Sequence, residues 1–164
     1  LCFIIVTDMT TKELMREAIR LANENVENCG GPFGAVIADK YGNIIATGVN
    51  RVTANNDPTA HAEICAIRAA GAQLGTFILE GYSIYTSCEP CPMCLSAIYW
   101  AHLDKIFYAN TKEDAKNIDF DDSFIYDEIA LTPYERKKHS EQLLRDEAIK
   151  TFERWAEKED KIKY

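Results

Sequence analysis

The segment TSCEPCPMCLSAI (86–98) carries three of the chain's six cysteines, Cys88, Cys91 and Cys94, between a short β-prone run and an apolar helical one. Ser83 to Thr86 reads as a buried strand. Pro92 to Ala101 reads as a helix with proline in its first turn, where the missing N–H costs nothing. Cys91-x-x-Cys94 then sets two thiols one turn apart on one face, at a helix start whose dipole favours the thiolate form. A second segment, DPTAHAEICAI (57–67), opens another helix, running from His61 to Leu74 with Thr59 as a plausible cap. His61 at its mouth offers a neutral imidazole. Two thiolates and one imidazole make a zinc site that keeps a fourth position for chemistry. Glu63, two residues on, is placed to take a proton from water held there.

Spacing alone does not select the thiols. Cys88 and Cys91 form an overlapping pair, and Cys65 lies one helical turn beyond His61. Pro90 and the helical run after Cys94 favour Cys91 with Cys94, which leaves Cys88 and Cys65 as core residues. A fourth ligand from either would close the site and make the chain a non-catalytic, zinc-stapled interaction module.

Outward from these segments, helices alternate with strands. Thr10 and Glu13 fit a capping box for a helix to Val26, with Leu14, Ala18, Leu21, Ala22 and Val26 on one face. GAVIAD (34–39) and NIIATGV (43–49) read as a hairpin around Lys40-Tyr41-Gly42. Residues 50–60 are rich in turn formers, Lys105 to Ala109 is a further strand, and 112–124 is an acidic loop with a short helix. Such an order predicts a layered α/β domain. The stretch 140–159 is amphipathic, with Leu144, Ala148, Phe152, Trp155 and Ala156 in helical register, and it needs a surface to pack against.

The chain has 164 residues, which is one domain's worth, over 10–164. Residue 1 is Leu, so residues 1–9 read as an N-terminal extension or a remnant ahead of Met9. Eighteen Lys and Arg against 26 Asp and Glu leave a charge of −8, a poor match for nucleic acid, whose phosphates draw binders rich in Lys and Arg. No run approaches the ~18 apolar residues of a membrane span. Clustered thiols suit metal in a reducing, cytoplasmic compartment better than disulfides.

His61-Ala62-Glu63 followed by Pro90-Cys91-Pro92-Met93-Cys94 matches the H-x-E…P-C-x-x-C signature of zinc nucleobase deaminases. The chain resembles the cytidine deaminase-like superfamily. GGPFGAVI, NDPTAHAE, TSCEPCPMC, AIYWA and FDDSFIY, with a Trp and a terminal Tyr near the end, make it similar to the bacterial-type guanine deaminase branch. That resemblance implies a three-layer α/β/α fold on a mixed five-stranded sheet. It implies one Zn2+ per chain on His61, Cys91 and Cys94, and hydrolysis of guanine at C2 to xanthine and ammonia with Glu63 as proton shuttle. Asp122 corresponds to a second carboxylate that protonates the departing amino group, with Asp121 as its competitor. Asn50 corresponds to a base-recognising amide, Phe33 and Trp100 to stacking walls, and Ala62 to a backbone N–H at a helix start. The resemblance further implies a homodimer in which segment 140–164 is exchanged, so that Tyr164 reaches the neighbour's base. Guanosine deaminase and, less well suited by charge, tRNA adenosine deaminase share the zinc motifs.

Overall fold

The computed structural model describes residues 9–164. The reading of residues 1–9 as an extension therefore lies outside the described residues, apart from Met9, which packs beside Leu14 and Val36. The chain divides into two compact units, one ending at Asp122 and the other running Ser123–Tyr164.

In the first unit, helix α1 (Thr11–Glu27) is followed by strands β1 (Gly34–Asp39) and β2 (Ile44–Val49) and the short helix α2 (Val52–Asn55). Helix α3 (Ala62–Leu74), strand β3 (Tyr82–Cys88), helix α4 (Pro92–Trp100), strand β4 (Lys105–Asn110) and helix α5 (Lys112–Lys116) complete it. The strands lie in the order β2-β1-β3-β4; β1 pairs antiparallel with β2 and β3, and β3 pairs parallel with β4. The sheet is mixed, as expected, but has four strands among the described residues rather than five. The reason is local: after β4 the chain turns directly into helical and polar segments, with no further β-prone run.

Alternation along β1 sends its side chains to two cores. Val36 and Ala38 meet Leu14 and Ala18 of α1, with Tyr85 of β3, on one face. Ala35 and Ile37 meet Ala62, Ala66 and Ala70 of α3 and Ile98 of α4 on the other. Each fully buried Leu or Ile in these layers contributes about 1.5–3 kcal/mol. The Ala62-Ala66-Ala70 stripe brings α3 against β2 so closely that a Cβ on Gly48 would stand 2.1 Å from the Ala62 carbonyl oxygen.

Local signals act as the sequence suggests at the first helix start, where Thr10 and Glu13 form the capping box. Two other expectations are corrected. Thr59 does not cap α3, because Asp57 Oδ1 accepts from both its N–H and its hydroxyl, and His61 becomes the N-cap residue. Val26 is 48% exposed, whereas the neighbouring Asn25 is only 6% exposed on the buried face of α1.

The second unit holds helices α6 (Ser123–Ala130) and α7 (Arg145–Glu157). Helix α7 is shorter than the predicted 140–159. Leu144 takes a left-handed conformation at its start, and the acidic pair Asp146 and Glu147 occupies the first turn. Arg136 Nε and the Lys137 N–H both donate to Glu128 in α6, tying the 131–144 connection to that helix. No helix of the described residues is long and apolar enough to cross a membrane.

Candidate metal and active site

Two helix starts converge at the carboxyl end of β3, the region where α/β sheets place their ligands. His61 is the N-cap residue of α3 and Cys91 that of α4, both in extended conformation, so each side chain projects past its helix mouth. Cys91 Sγ accepts from the Cys94 N–H at 3.5 Å. His61 Nδ1 stands 3.6 Å from Cys91 Sγ and 3.6 Å from Cys94 Sγ, and the three donor atoms lie within 4.8 Å of one another. Bonds of about 2.3 Å to sulfur and 2.0–2.1 Å to nitrogen, at a tetrahedral angle, put S and N roughly 3.5 Å apart. The donor set and its spacing thus fit Zn2+.

These thiols and the imidazole polarise one another. The Cys94 thiol, against the cost of burial and with help from His61, lowers Cys91 to about 4. Cys94, as donor to Cys91 and within the protein interior, is pushed far up. Cys91 in turn raises His61. Cys88, at the end of β3, is raised to about 11 by burial and directs its Sγ to the Thr111 carbonyl oxygen at 3.6 Å. Cys65 is raised by burial as well. Among the described residues neither joins the three-donor group.

A cavity of about 430 Å³ opens above this group, within the about 300–1,000 Å³ usual for small-molecule sites. His61, Glu63 and Cys91 line it together with Phe33, Asn50, Asp121 and Asp122. Phe33 packs edge-on against Phe120 with centroids 5.0 Å apart. Glu63, at the second position of α3, is 6% exposed, and burial pushes its carboxyl above the usual range. Asp122 is half-buried and raised by that burial and then by the nearby Cys91 charge. Asp121 Oδ2 lies 3.4 Å from Lys116 Nζ. Ala62 turns its side chain into the core, leaving its backbone N–H at the mouth of α3, where the first amides lack helical acceptors.

Sequence similarity places this geometry. Residues 9–110 match the family model for the cytidine and deoxycytidylate deaminase zinc-binding region. The chain belongs to this zinc-binding deaminase family. Within it, the chain is 48% identical over 157 residues to the guanine deaminase of Bacillus subtilis, covering 95% of this chain and all of that protein. The X-ray structure of the B. subtilis guanine deaminase superposes with a TM-score of 0.91 over 95% of this chain and 99% of that one. A guanine deaminase structure from Nitrosomonas europaea follows at 33% identity and TM-score 0.66, covering 69% of this chain and 65% of that one. The tRNA-specific adenosine deaminase of B. subtilis is 40% identical over 101 residues, covering 61% of this chain and 62% of that protein.

One residue expected to wall the base, Trp100, stands outside the cavity lining of this deaminase-family chain. Trp100 ends α4 with 64% exposure and is not among the residues lining its own chain's cavity, because nine helical residues carry it away from Cys91. Tyr164 belongs to the second unit and is 77% exposed. One residue that the sequence motifs do not reveal is Asn25. Its Nδ2 donates to the carbonyl oxygens of Gly31 and Asn50, both of which line the cavity. A polar residue in the apolar register of α1 is the only signal the sequence offers for it.

Proposed function

We propose that this protein is a zinc-dependent guanine deaminase, converting guanine and water to xanthine and ammonia. The observation that carries the reading is the three-donor group with tetrahedral spacing beside a buried glutamate, in a chain similar end to end to a guanine deaminase. His61, Cys91 and Cys94 hold the metal. When bound, zinc supplies Lewis-acid activation of water near neutral pH. Glu63 removes a proton as water adds to C2 and delivers it to the adjacent ring nitrogen. Its burial favours the protonated form after transfer, which suits a group that must both accept and return a proton. Asp122 protonates the amino group as the C2–N bond breaks and ammonia leaves. Asn50 and the Ala62 N–H bind the purine edge, and Phe33 stacks on its face.

The acidic cavity supports a small neutral purine over tRNA. Glu89, Asp119, Asp121 and Asp122 all border it, and the chain carries −8 overall, a field that repels phosphates. Among the described residues three donors converge rather than four, which supports catalysis against a closed structural site. We further propose one deaminase domain over 10–164 acting as a homodimer with exchanged 140–164 segments, Tyr164 serving the site across the dimer. Its setting is cytoplasmic purine breakdown. Five free thiols among the described residues fit a reducing compartment.

The decisive experiment is ammonia release from guanine, guanosine, adenosine, cytosine and cytidine, with Glu63→Ala as the blank. Guanine should be turned over about 10²–10⁴-fold faster by the wild type than by the blank, with zinc content equal in both. Equal release from the two proteins on every compound would end the deaminase reading. Preference for guanosine would move it to the nucleoside.

A further inference from the structure

We propose that Asn25 is a positioning residue for base recognition, clamping the two backbone segments that aim Asn50 into the cavity. The inference rests on the reading of Asn50 as a purine-facing amide. Asn25 continues the buried face of Leu14, Ala18 and Ala22, where a hydrophobic residue would serve stability better. Burying a carboxamide is unfavourable unless its hydrogen bonds are made. Both amide protons of Asn25 are spent on backbone: Nδ2 donates to the Gly31 carbonyl oxygen at 2.8 Å and to the Asn50 carbonyl oxygen at 2.9 Å. One side chain thereby joins the loop after α1 to the end of β2.

The glycines beside it are matched to this clamp. A Cβ on Gly30 would sit 2.3–2.6 Å from the Nδ2, Cγ and Oδ1 of Asn25, and those are the three nearest atoms it would meet. Gly30 has no positive φ, so it is required there for space and not for backbone freedom. A Cβ on Gly31 would stand 3.1 Å from Asn50 Cγ. Asn50 is then fixed from three sides. Its carbonyl is held by Asn25, its N–H donates to the Phe33 carbonyl oxygen at 3.1 Å, and its Oδ1 accepts from the Val52 N–H at 3.3 Å. With Oδ1 engaged, Nδ2 is the end offered to a purine acceptor. Behind the clamp, a cleft of about 610 Å³ lined by Asn28 and Arg51 reaches Asn25. Water from that cleft can hydrate the freed carbonyls when Asn25 is shortened, so the variant folds and its defect is one of position.

The test compares Asn25→Ala, Gly30→Ala and the double variant in the zinc-loaded enzyme. Each single change should raise KM for guanine about tenfold while kcat stays within about threefold and zinc content is unchanged. Exchange of the Asn50 amide hydrogen, bonded to Phe33, should quicken in both. The double variant should be no worse than Asn25→Ala, because the added methyl fills space the carboxamide has left. Unchanged KM and unchanged exchange in Asn25→Ala, or a lowered melting temperature with unchanged KM, would overturn the clamp. So would additive losses in the double variant. A wild type inactive on guanine would sink the guanine reading alone, and the Asn50 exchange rate would still decide the clamp.

Discussion

Asp121 and Asp122 line the same cavity, yet their surroundings differ. Asp121 Oδ2 lies 3.4 Å from Lys116 Nζ, with both side chains half in solvent. Asp122 is drawn further in, where burial and the charge on Cys91 favour its protonated form, the form that can give a proton to a departing amine. Asp122→Asn should therefore lower kcat about 10²-fold, while Asp121→Asn changes it by less than about threefold. Steady-state kinetics on guanine decides this, and the reverse ranking would move the role to Asp121. At this scale the sequence carries much of the chemistry. His61, Glu63, Cys91 and Cys94 are legible because two local motifs each state their own geometry. Asn25 is not legible, since its meaning lies in two carbonyls, one of them 25 residues away. The face assigned to Val26 turns by one position to admit it.

Two helix starts make the site, so what positions α3 positions the chemistry. Helix α3 rests on Gly48 of β2, where a Cβ would come within 2.1 Å of the Ala62 carbonyl oxygen and 2.5 Å of the Ala66 nitrogen. Both contacts are backbone and cannot swing aside. Gly48→Ala should cost about 1–3 kcal/mol in urea unfolding and weaken zinc binding, because α3 carries His61 and Glu63 away from Cys91. Gly71 is the control within the same helix. Its nearest neighbour is the Thr76 carbonyl oxygen at 3.1 Å, a far slighter crowding, so Ala there should change stability by less than about 1 kcal/mol, with zinc affinity unchanged. Zinc titration and unfolding of both variants would expose an error if they behaved alike. Elements with their own signals, the capping box at Thr10 and the hairpin around Gly42, are readable from the amino-acid order alone. The absence of a fifth strand among the described residues and the presence of helix α6 are not. An expected strand borrowed from resemblance needs a β-prone run to build it, and this chain has none after Asn110.

At the scale of the whole molecule, the terminal segment poses the question that the proposed dimer would answer. Helix α7 has no buried residue, and its apolar stripe includes Phe152 at 73% exposure. The proposed exchanged dimer would give that stripe a function and bring Tyr164 to a neighbour's base. Deleting Lys163 and Tyr164 should reduce guanine turnover by about tenfold or more with zinc content intact. Mixing that truncated chain with Glu63→Ala should restore activity, since the truncated subunit keeps its glutamate and receives an intact tail from its partner. Kinetics unaffected by truncation would remove the lid role, and no recovery on mixing would place each tail over its own site. The amino-acid sequence by itself determined the deaminase family, the metal and the α/β order, because those rest on motifs and periodicities within a few residues of chain. Tertiary structure alone decided the four-stranded sheet of the described residues, the two carbonyls that Asn25 joins, the different surroundings of two adjacent aspartates and the absence of Trp100 from its own chain's cavity lining. Each of these depends on which distant atoms share a small buried volume, and no local spacing encodes that.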